Sequence, residues 1–498
     1  MRSLVIVRRI VQSVAFGLFF YILYSTTYPL KGKLPARLIF DIDPLVMIIT
    51  SVSERVVLGG IALALGFCLC AFILGRFFCG WLCPLGAMFD FFRWFHPRRR
   101  QGAGVLPRRL YGTKFFLLAG LFLLALWGLQ TAWFFDPLVI AARFLSLNVI
   151  PTITQAVNRL FIFIIQTFGL YGDFYDFYRG LKESFLGVHV YYFSHSLVVL
   201  IFTAFLVFCC VVVARFWCRL LCPLGAGYGL LAQGTLLARK VNAACNSCGL
   251  CARRCRMGAI AKNGVATDKR ECILCMDCVY DCPQKAVRFT FRRDAPSTSQ
   301  DMSGPGVSRR QFLFLFLVGL FSLGAKNREG ASRVERRVIR PPAALEEGEF
   351  LDRCIRCGNC MKVCITNGLQ PCLFETGFEG IWTPQLVPEI GYCEYHCTLC
   401  GHVCPTGAIK PLTQKEKAQT KIGLAVIDQT ICLPWAQGKE CIVCEEHCPI
   451  STKAIKLGRD QATGLARPYV DKDLCVGCGI CQTKCPVRPV RAIRVVPA

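Results

Sequence analysis

The stretch Cys245-Asn246-Ser247-Cys248-Gly249-Leu250-Cys251-Ala252-Arg253-Arg254-Cys255 decides how the rest of the chain is read, together with Cys272-Ile273-Leu274-Cys275-Met276-Asp277-Cys278-Val279-Tyr280-Asp281-Cys282-Pro283. Three cysteines at two-residue intervals wrap a loop around three corners of a cube, and a distant fourth closes it. Zinc instead favours pairs of Cys-x2-Cys separated by a longer connection. The two runs therefore predict two [4Fe–4S] clusters, with the fourth cysteine of each run serving the other cluster. One would use Cys245, Cys248, Cys251 and Cys282, the other Cys272, Cys275, Cys278 and Cys255. Arg256 stands where a proline usually follows the fourth cysteine.

Four more groups follow towards the C-terminus. Cys354, Cys357, Cys360 and Cys364 keep the same spacing, as do Cys475, Cys478, Cys481 and Cys485. Cys393, Cys397, Cys400 and Cys404 carry one extra residue in the first gap, and Cys432, Cys441, Cys444 and Cys448 a longer insertion. Asp268, Asp428 and Asp471 each precede a first cysteine by four residues. Ala286-Val287, Ala408-Ile409, Ala454-Ile455 and Ala492-Ile493 follow the groups as short strand signals. These sixteen cysteines predict four further [4Fe–4S] clusters, six in all. Two pairings fit the spacing: adjacent groups exchange their fourth cysteines, or the first group pairs with the fourth and the second with the third. Cys372 is left over and reads as structural.

Upstream the chain changes character. Hydrophobic residues make up 54% of the chain, which has a mean hydropathy of +0.45. Apolar runs at Ile10–Tyr24, Val56–Gly75, Phe115–Phe135 and Ser196–Ala214 predict four membrane spans, some borrowing flanking residues to reach the ~20 a span needs. Residues 143–194 form a long outer connection whose apolar part, Leu160–Leu170, is too short to span and is expected to lie along the surface or pack on the bundle; were it a true span, the cytoplasmic half would swap sides. The formal net charge of +26 collects beside the apolar runs, at Arg93, Arg98, Arg99, Arg100, Arg108, Arg109 and Lys114. That is positive-inside topology rather than a nucleic-acid surface. The same topology puts residues 240–293 in the cytoplasm, where disulfides are disfavoured.

The membrane half repeats itself. Asp43-Pro44-Leu45-Val46 recurs as Asp136-Pro137-Leu138-Val139. Arg76-Phe77-Phe78-Cys79-Gly80-Trp81-Leu82-Cys83-Pro84-Leu85-Gly86-Ala87 recurs as Arg215-Phe216-Trp217-Cys218-Arg219-Leu220-Leu221-Cys222-Pro223-Leu224-Gly225-Ala226. Two hairpins in the same orientation imply a pseudo-twofold axis along the membrane normal. Cysteines four apart share a helix face, so Cys79, Cys83, Cys218 and Cys222 form a candidate additional thiolate-bound metal centre. A redox-active dithiol or a packing turn is the alternative. Cys68, Cys70, Cys209 and Cys210 read as small packing residues inside the spans.

Ser308-Arg309-Arg310-Gln311-Phe312-Leu313 opens an apolar run to Ala325. It reads as a twin-arginine signal or a short anchor obeying the positive-inside rule, and both place the residues beyond Ala325 on the far side of the membrane. Leu323, two before Ala325, is a poor cleavage context and favours a retained anchor. The expected architecture is a four-helix membrane core from two repeated hairpins plus a fifth anchor helix, with α+β ferredoxin-like domains on both sides. Its boundaries are 1–239 for the membrane domain, 240–293 for a cytoplasmic two-cluster domain, 294–344 for a linker with the anchor at 308–325, and 345–498 for a periplasmic four-cluster domain.

The arrangement resembles two ferredoxin-type proteins of the periplasmic nitrate reductase system joined end to end. Residues 1 to about 292 are similar to the membrane quinol-dehydrogenase subunit, and those from about 308 to the exported four-cluster partner. Related proteins serve methylamine utilisation. The resemblance implies quinol oxidation at the inner membrane of a bacterium in anaerobic respiration, with electrons delivered to a periplasmic oxidoreductase or cytochrome. There is no P-loop, Gly-x-Gly-x2-Gly turn, nucleophile elbow or His-Glu-x2-His site, so the residues themselves read as an electron relay. Only six histidines exist and none lies mid-span, which disfavours haem. Candidate proton acceptors for quinol are His195 (with His189 nearby), Asp43 and Asp136, against interfacial anchoring for the histidines and helix capping for the aspartates. Transfer from a cytoplasmic low-potential donor, and redox sensing or metalloenzyme maturation, are the competing functions.

Overall fold

The computed structural model describes residues 2–28, 30, 34–96, 107–182, 191–291, 338–460 and 464–497. The twin-arginine stretch and anchor at 308–325, the linker up to 337, His189 and the arginines at 98–100 lie outside the described residues. The chain divides into two units. The first draws on Met1–Leu23, Arg37–Phe144 and Val199–Asn327, the second on Tyr24–Ala36, Leu145–Val198 and Arg328–Ala498.

The longer helices of the first unit include α1 (Arg2–Ser25), α2 (Pro44–Glu54), α3 (Ile61–Leu74), α4 (Pro84–Trp94), α5 (Thr113–Leu126) and α6 (Pro137–Phe144). The second unit contains α7 (Ile150–Phe168) and α8 (Asp173–Leu181); α9 (Ser196–Val212) starts in it and from Val199 belongs to the first, as does α10 (Pro223–Leu231). Among the described residues, three helical stretches are long and apolar enough to cross a membrane: Leu4–Ser25, Arg108–Leu126 and Pro137–Phe168. Two expected spans are shorter than their apolar runs suggest. α3 has 14 residues because it starts only at Ile61, after a turn that opens with Arg55 in the left-handed region (φ 54°), and α9 has 17 because it ends at Val212, ahead of the left-handed Arg215 (φ 54°). In the other direction, Leu160–Leu170 is not an isolated short run. Its helix belongs to a 32-residue stretch in which a π-helical turn, Leu145–Val149, precedes α7. Pro151 sits in the first turn of α7, where its missing N–H leaves no bond unmade.

The surfaces of these helices are apolar outwards. In α9 the buried residues Val199, Thr203, Leu206 and Cys210 form one stripe, while Leu197, Ile201, Phe205 and Phe208 are exposed. Such a surface is costly in water and suits lipid. The repeated segments fold alike. Asp43 accepts from the Leu45 and Val46 N–H groups to cap α2, and Asp136 accepts from Leu138 and Val139 to cap α6.

The ferredoxin module of the first unit is closed by antiparallel β1 (Ala238–Val241) and β2 (Val287–Thr290), paired from Ala238↔Thr290 to Val241↔Val287. Leu274, Met276, Val279 and Val287 form its small core. In the second unit β3 (Leu369–Pro371) pairs with β4 (Pro384–Leu386). β5 (Gly423–Ile427) pairs with β8 (Ile493–Pro497), and between them in sequence β6 (Ile455–Arg459) pairs with β7 (Ala466–Val470). All are antiparallel. The Ala-Ile and Ala-Val signals coincide with extended backbone: Val287, Ile455 and Ile493 start strands, and Ile409 bridges Ala344.

Candidate metal centres

The cysteine loops are shaped by left-handed backbone at two fixed places. In the regular Cys-x2-Cys-x2-Cys runs, the residues on either side of the central cysteine have positive φ: Ser247 and Gly249, Leu274 and Met276, Arg356 and Gly358, Gly477 and Gly479. These turns curl successive backbone N–H groups around a concavity suited to an anion. In the two irregular groups the corresponding Thr398 (φ −121°) and Ile442 (φ −115°) are ordinary, because the longer first gap reaches the second corner without the tight curl. Asp268, Asp428 and Asp471 each accept from the N–H two residues on (Arg270, Thr430, Asp473), an Asx turn that leads the chain into the next cysteine.

The loops bring the thiols together in quartets. Cys245, Cys248, Cys251 and Cys282 line one cavity of about 330 Å³. Cys354, Cys357, Cys360 and Cys404 line another of about 360 Å³, and Cys364, Cys393, Cys397 and Cys400 one of about 410 Å³. Cys432, Cys441, Cys444 and Cys485 line a fourth of about 360 Å³. Cys255 acts electrostatically on Cys272, Cys275 and Cys278, and Cys448 on Cys478 in the run Cys475, Cys478, Cys481. Of the two pairings the spacing allows, the fold builds the adjacent one.

This donor set fits iron–sulfur clusters. Burial pushes the thiols of Cys272 and Cys278 up, to about 11 and about 12, and neighbouring thiols add to the shift. Four buried thiolates repel one another, and cationic iron between them removes both penalties. Cys372 is fully buried beside the Arg340 guanidinium (3.7 Å) and lines none of these cavities. Sequence reasoning missed Lys417, whose ammonium donates to the Glu394 and Cys397 carbonyls and so pins the irregular loop.

A further quartet sits in the first unit. Cys79, Cys83, Cys218 and Cys222 line a cavity of about 320 Å³ with Phe78, Phe89 and Trp217. Cys83 caps α4 by accepting the Gly86 N–H (3.4 Å), and Cys222 caps α10 by accepting the Gly225 N–H (3.2 Å). The arginines cross over between repeats: a Cβ on Gly86 would lie 2.6 Å from Arg215 Nη1, and one on Gly225 would lie 2.6 Å from Arg76 Nη2. Glycine at both places is what lets the guanidinium groups in.

The first Cys-x3-Cys turn is also the seat of the ferredoxin module. Arg76 donates to the Arg270 carbonyl (2.7 Å) and pairs with Glu271 (3.2 Å), which Lys114 joins at 2.6 Å. Trp81 Nε1 donates to the Leu274 carbonyl (3.0 Å), and a Cβ on Gly80 would overlap the Ile273 carbonyl oxygen. Asp90 is the second anchor, within 2.6 Å of Arg215, 3.0 Å of Arg256 and 3.7 Å of Arg8. Arg256 also pairs with Asp277 at 2.7 Å. Its departure from proline thus has a use: it ties the cluster loops to α4.

The proton-acceptor candidates part company. Asp43 and Asp136 are fully buried, their carboxyl groups adjacent to each other as well as capping their helices. His195 is half-buried, with Nε2 3.7 Å from Glu375 Oε1. Around it, Ser194 N–H donates to Gln370 (3.0 Å), and the Gln370 and Asn367 amides donate to the Tyr192 carbonyl at 3.0 and 2.7 Å. The segment leading into α9 is thereby fastened to the first loop region of the four-group half.

Cysteine quartets on ferredoxin folds, carried by a chain with membrane-length apolar helices, define an iron–sulfur electron-transfer protein of the ferredoxin type. Comparisons agree. A family profile described as a 4Fe-4S binding domain matches residues 56–102, 196–243 and 400–424, and a second of the same description matches 468–491. The methylamine utilization ferredoxin-type protein MauM of Methylorubrum extorquens is 37% identical over 175 residues, 34% of this chain and 77% of the relative. The ferredoxin-type protein NapG of Escherichia coli K12 is 35% identical over 218 residues, 42% of this chain and 85% of the relative. NapF of the same organism is 33% identical over 155 residues, 31% and 84% respectively. The chain belongs to this family of ferredoxin-type proteins, resembling subunits of nitrate reductase and methylamine systems. No solved structure matches it.

Proposed function

We propose that the chain is a quinol dehydrogenase module of a bacterial inner membrane, which takes electrons from the quinone pool and passes them to a periplasmic oxidoreductase or cytochrome. The ferredoxin module at 238–290 faces the cytoplasm in this reading, and the four-group half faces the periplasm. Six [4Fe–4S] clusters, when bound, each supply a one-electron site. The protein's own part is to hold the quartets and to manage the protons that quinol releases. The observation that carries the reading is the fastening of the α9 entry to the loop at 367–375, with His195 beside Glu375 at an apolar helix end. That location suits a lipid-borne donor: His195 Nε2 accepts a quinol proton, and Glu375 steadies the resulting charge. Asp43 and Asp136, enclosed and engaged as caps, are assigned to structure.

The test is anaerobic addition of a menaquinol analogue to the full chain in detergent, followed by EPR and visible bleaching. Rapid cluster reduction, slowed at least tenfold in His195→Ala with dithionite reduction unchanged, is expected. A chain that quinol leaves oxidised while a low-potential cytoplasmic donor reduces it would overturn the quinol reading. The seating of the ferredoxin module on the Cys79 turn favours that second route, outward from a cytoplasmic donor.

A further inference from the structure

The 4Fe-4S profile covers both Cys-x3-Cys turns, neither of which has cysteines enough for a cluster alone, and the two turns form one chamber. We propose that Cys79, Cys83, Cys218 and Cys222 hold an additional [4Fe–4S] cluster, built across the pseudo-twofold axis of the repeated hairpins. The assignment holds whichever donor and acceptor the chain serves.

Three independent observations carry it. The first is the donor set. The chamber is lined by two cysteines from each turn, as the ferredoxin cavities are each lined by four. Among the described residues, no three His, Cys, Asp or Glu side chains converge on a point as a single metal ion requires. The thiols ring a volume instead, and a cube with sulfur at its outer corners occupies a volume.

The second is charge. Four thiolates on an oxidised cubane core leave two negative charges in an apolar wall, a large cost unless they are met. The groups beside the chamber meet them. Arg76 and Lys114 share one carboxylate, Glu271. Arg8 and Arg215 share another, Asp90, while the Arg256–Asp277 pair lies against Cys275 of the ferredoxin module. Each set retains one positive charge, and each sends one guanidinium towards the other repeat's glycine. Arg215 Nη1 lies 3.8 Å from Cys218 Sγ.

The third is hydrogen bonding. Cys83 and Cys222 sit at the N-termini of α4 and α10 and already accept backbone N–H groups at sulfur. Helix N-termini and N–H donors stabilise thiolate sulfur. A packing turn needs neither paired arginines nor glycines kept clear for them. A dithiol needs only one turn, whereas both turns open onto one space.

The position adds a consequence. The Cys79 turn touches the loop that carries Cys272 and Cys275, through the Trp81–Leu274 bond and the Gly80–Ile273 contact. The chamber is therefore next to the ferredoxin quartets of its own unit.

The test uses the full chain, purified anaerobically in detergent and reconstituted with iron and sulfide. The quadruple variant Cys79→Ser, Cys83→Ser, Cys218→Ser, Cys222→Ser should lose about four iron and four sulfide per chain relative to wild type, together with one component of the EPR redox titration. Unchanged iron in a folded quadruple variant, or stoichiometric zinc released from wild type, would overturn the assignment. A Cys79–Cys83 or Cys218–Cys222 disulfide found by mass spectrometry in the anaerobic protein would do the same. Should the quadruple variant not accumulate, Arg215→Lys decides. It keeps the charge but shortens the reach to Cys218, so one EPR component should move in potential while total iron stays constant. If no component moves, the chamber holds no cluster.

Discussion

Replacing Arg256 tests how the ferredoxin module is held to the helices beneath it. Its guanidinium joins Asp90 on α4 to Asp277 in the second cysteine loop, at 3.0 and 2.7 Å, with side-chain exposures of 22% for the arginine and 16% and 15% for its partners. Removing one partner of a fully buried pair costs about 3–5 kcal/mol. Here the loss is smaller, because Asp90 keeps Arg215 at 2.6 Å. Asp277 loses the guanidinium but retains some water. A cost of about 2 kcal/mol results, roughly a 30-fold rise in the population of the undocked module at about 1.4 kcal/mol per tenfold. Hydrogen exchange by mass spectrometry of the full chain reads this directly, as faster exchange in peptides covering 84–94 and 256–281 with the α9 peptides unaffected. Arg256→Pro restores the usual residue after the fourth cysteine yet loses both ion pairs, so it should behave like Arg256→Ala. Exchange in both variants indistinguishable from wild type would show that the two pairs do not hold the module, and the explanation of the missing proline would fall.

Gly80→Ala drives a methyl into the Ile273 carbonyl; overpacking of about 1–3 kcal/mol should loosen the same peptides, and unchanged exchange there would mean that the contact is not close. Gly477→Ala meets both a positive φ of 74° and the backbone of Gly423, whereas Gly407→Ala meets a φ of 71° with open space around it. The first should lose iron from the Cys475 loop and the second should cost only about 1 kcal/mol; equal thermal shifts would count against the steric argument. Glu375 provides a pH signature. Partial burial opposes its charge, but N–H donors from the backbone and Gln385, with the His195 ring, hold its carboxyl below the usual value. A depressed carboxylate stabilises the fold above the ordinary glutamate range and ceases to do so as pH falls through its folded value, so wild type should lose more stability than Glu375→Gln on acidification towards pH 4. Parallel melting curves for the two would remove Glu375 from that role.

Much of the metal chemistry is legible in the one-dimensional sequence because it is local. Three of the four thiols of each regular ferredoxin quartet lie within a few residues, so spacing alone fixes the loop, and Asp268, Asp428 and Asp471 close their turns two residues on. The caps at Asp43 and Asp136 are local for the same reason. Hydropathy locates the apolar helices but misjudges some of their ends, since it registers neither the turn opened by the left-handed Arg55, nor the break at Arg215, nor the π-helical turn that lies between Pro137 and Phe168.

What the tertiary structure alone decided are the partnerships across long separations. Whether Cys404 closes the Cys354 group or another is a matter of which loops pack together, and spacing is silent on it. Arg256 could be read only as a missing proline until Asp90 and Asp277 came beside it from elements far apart in the chain. The four-thiol chamber has the same origin: each Cys-x3-Cys turn offers two sulfurs to a shared helix face, but only the packing of one repeat against the other makes four sulfurs face one space. Local geometry follows from dihedral angles and nearest neighbours, whereas convergence follows from the burial of surfaces the sequence does not label.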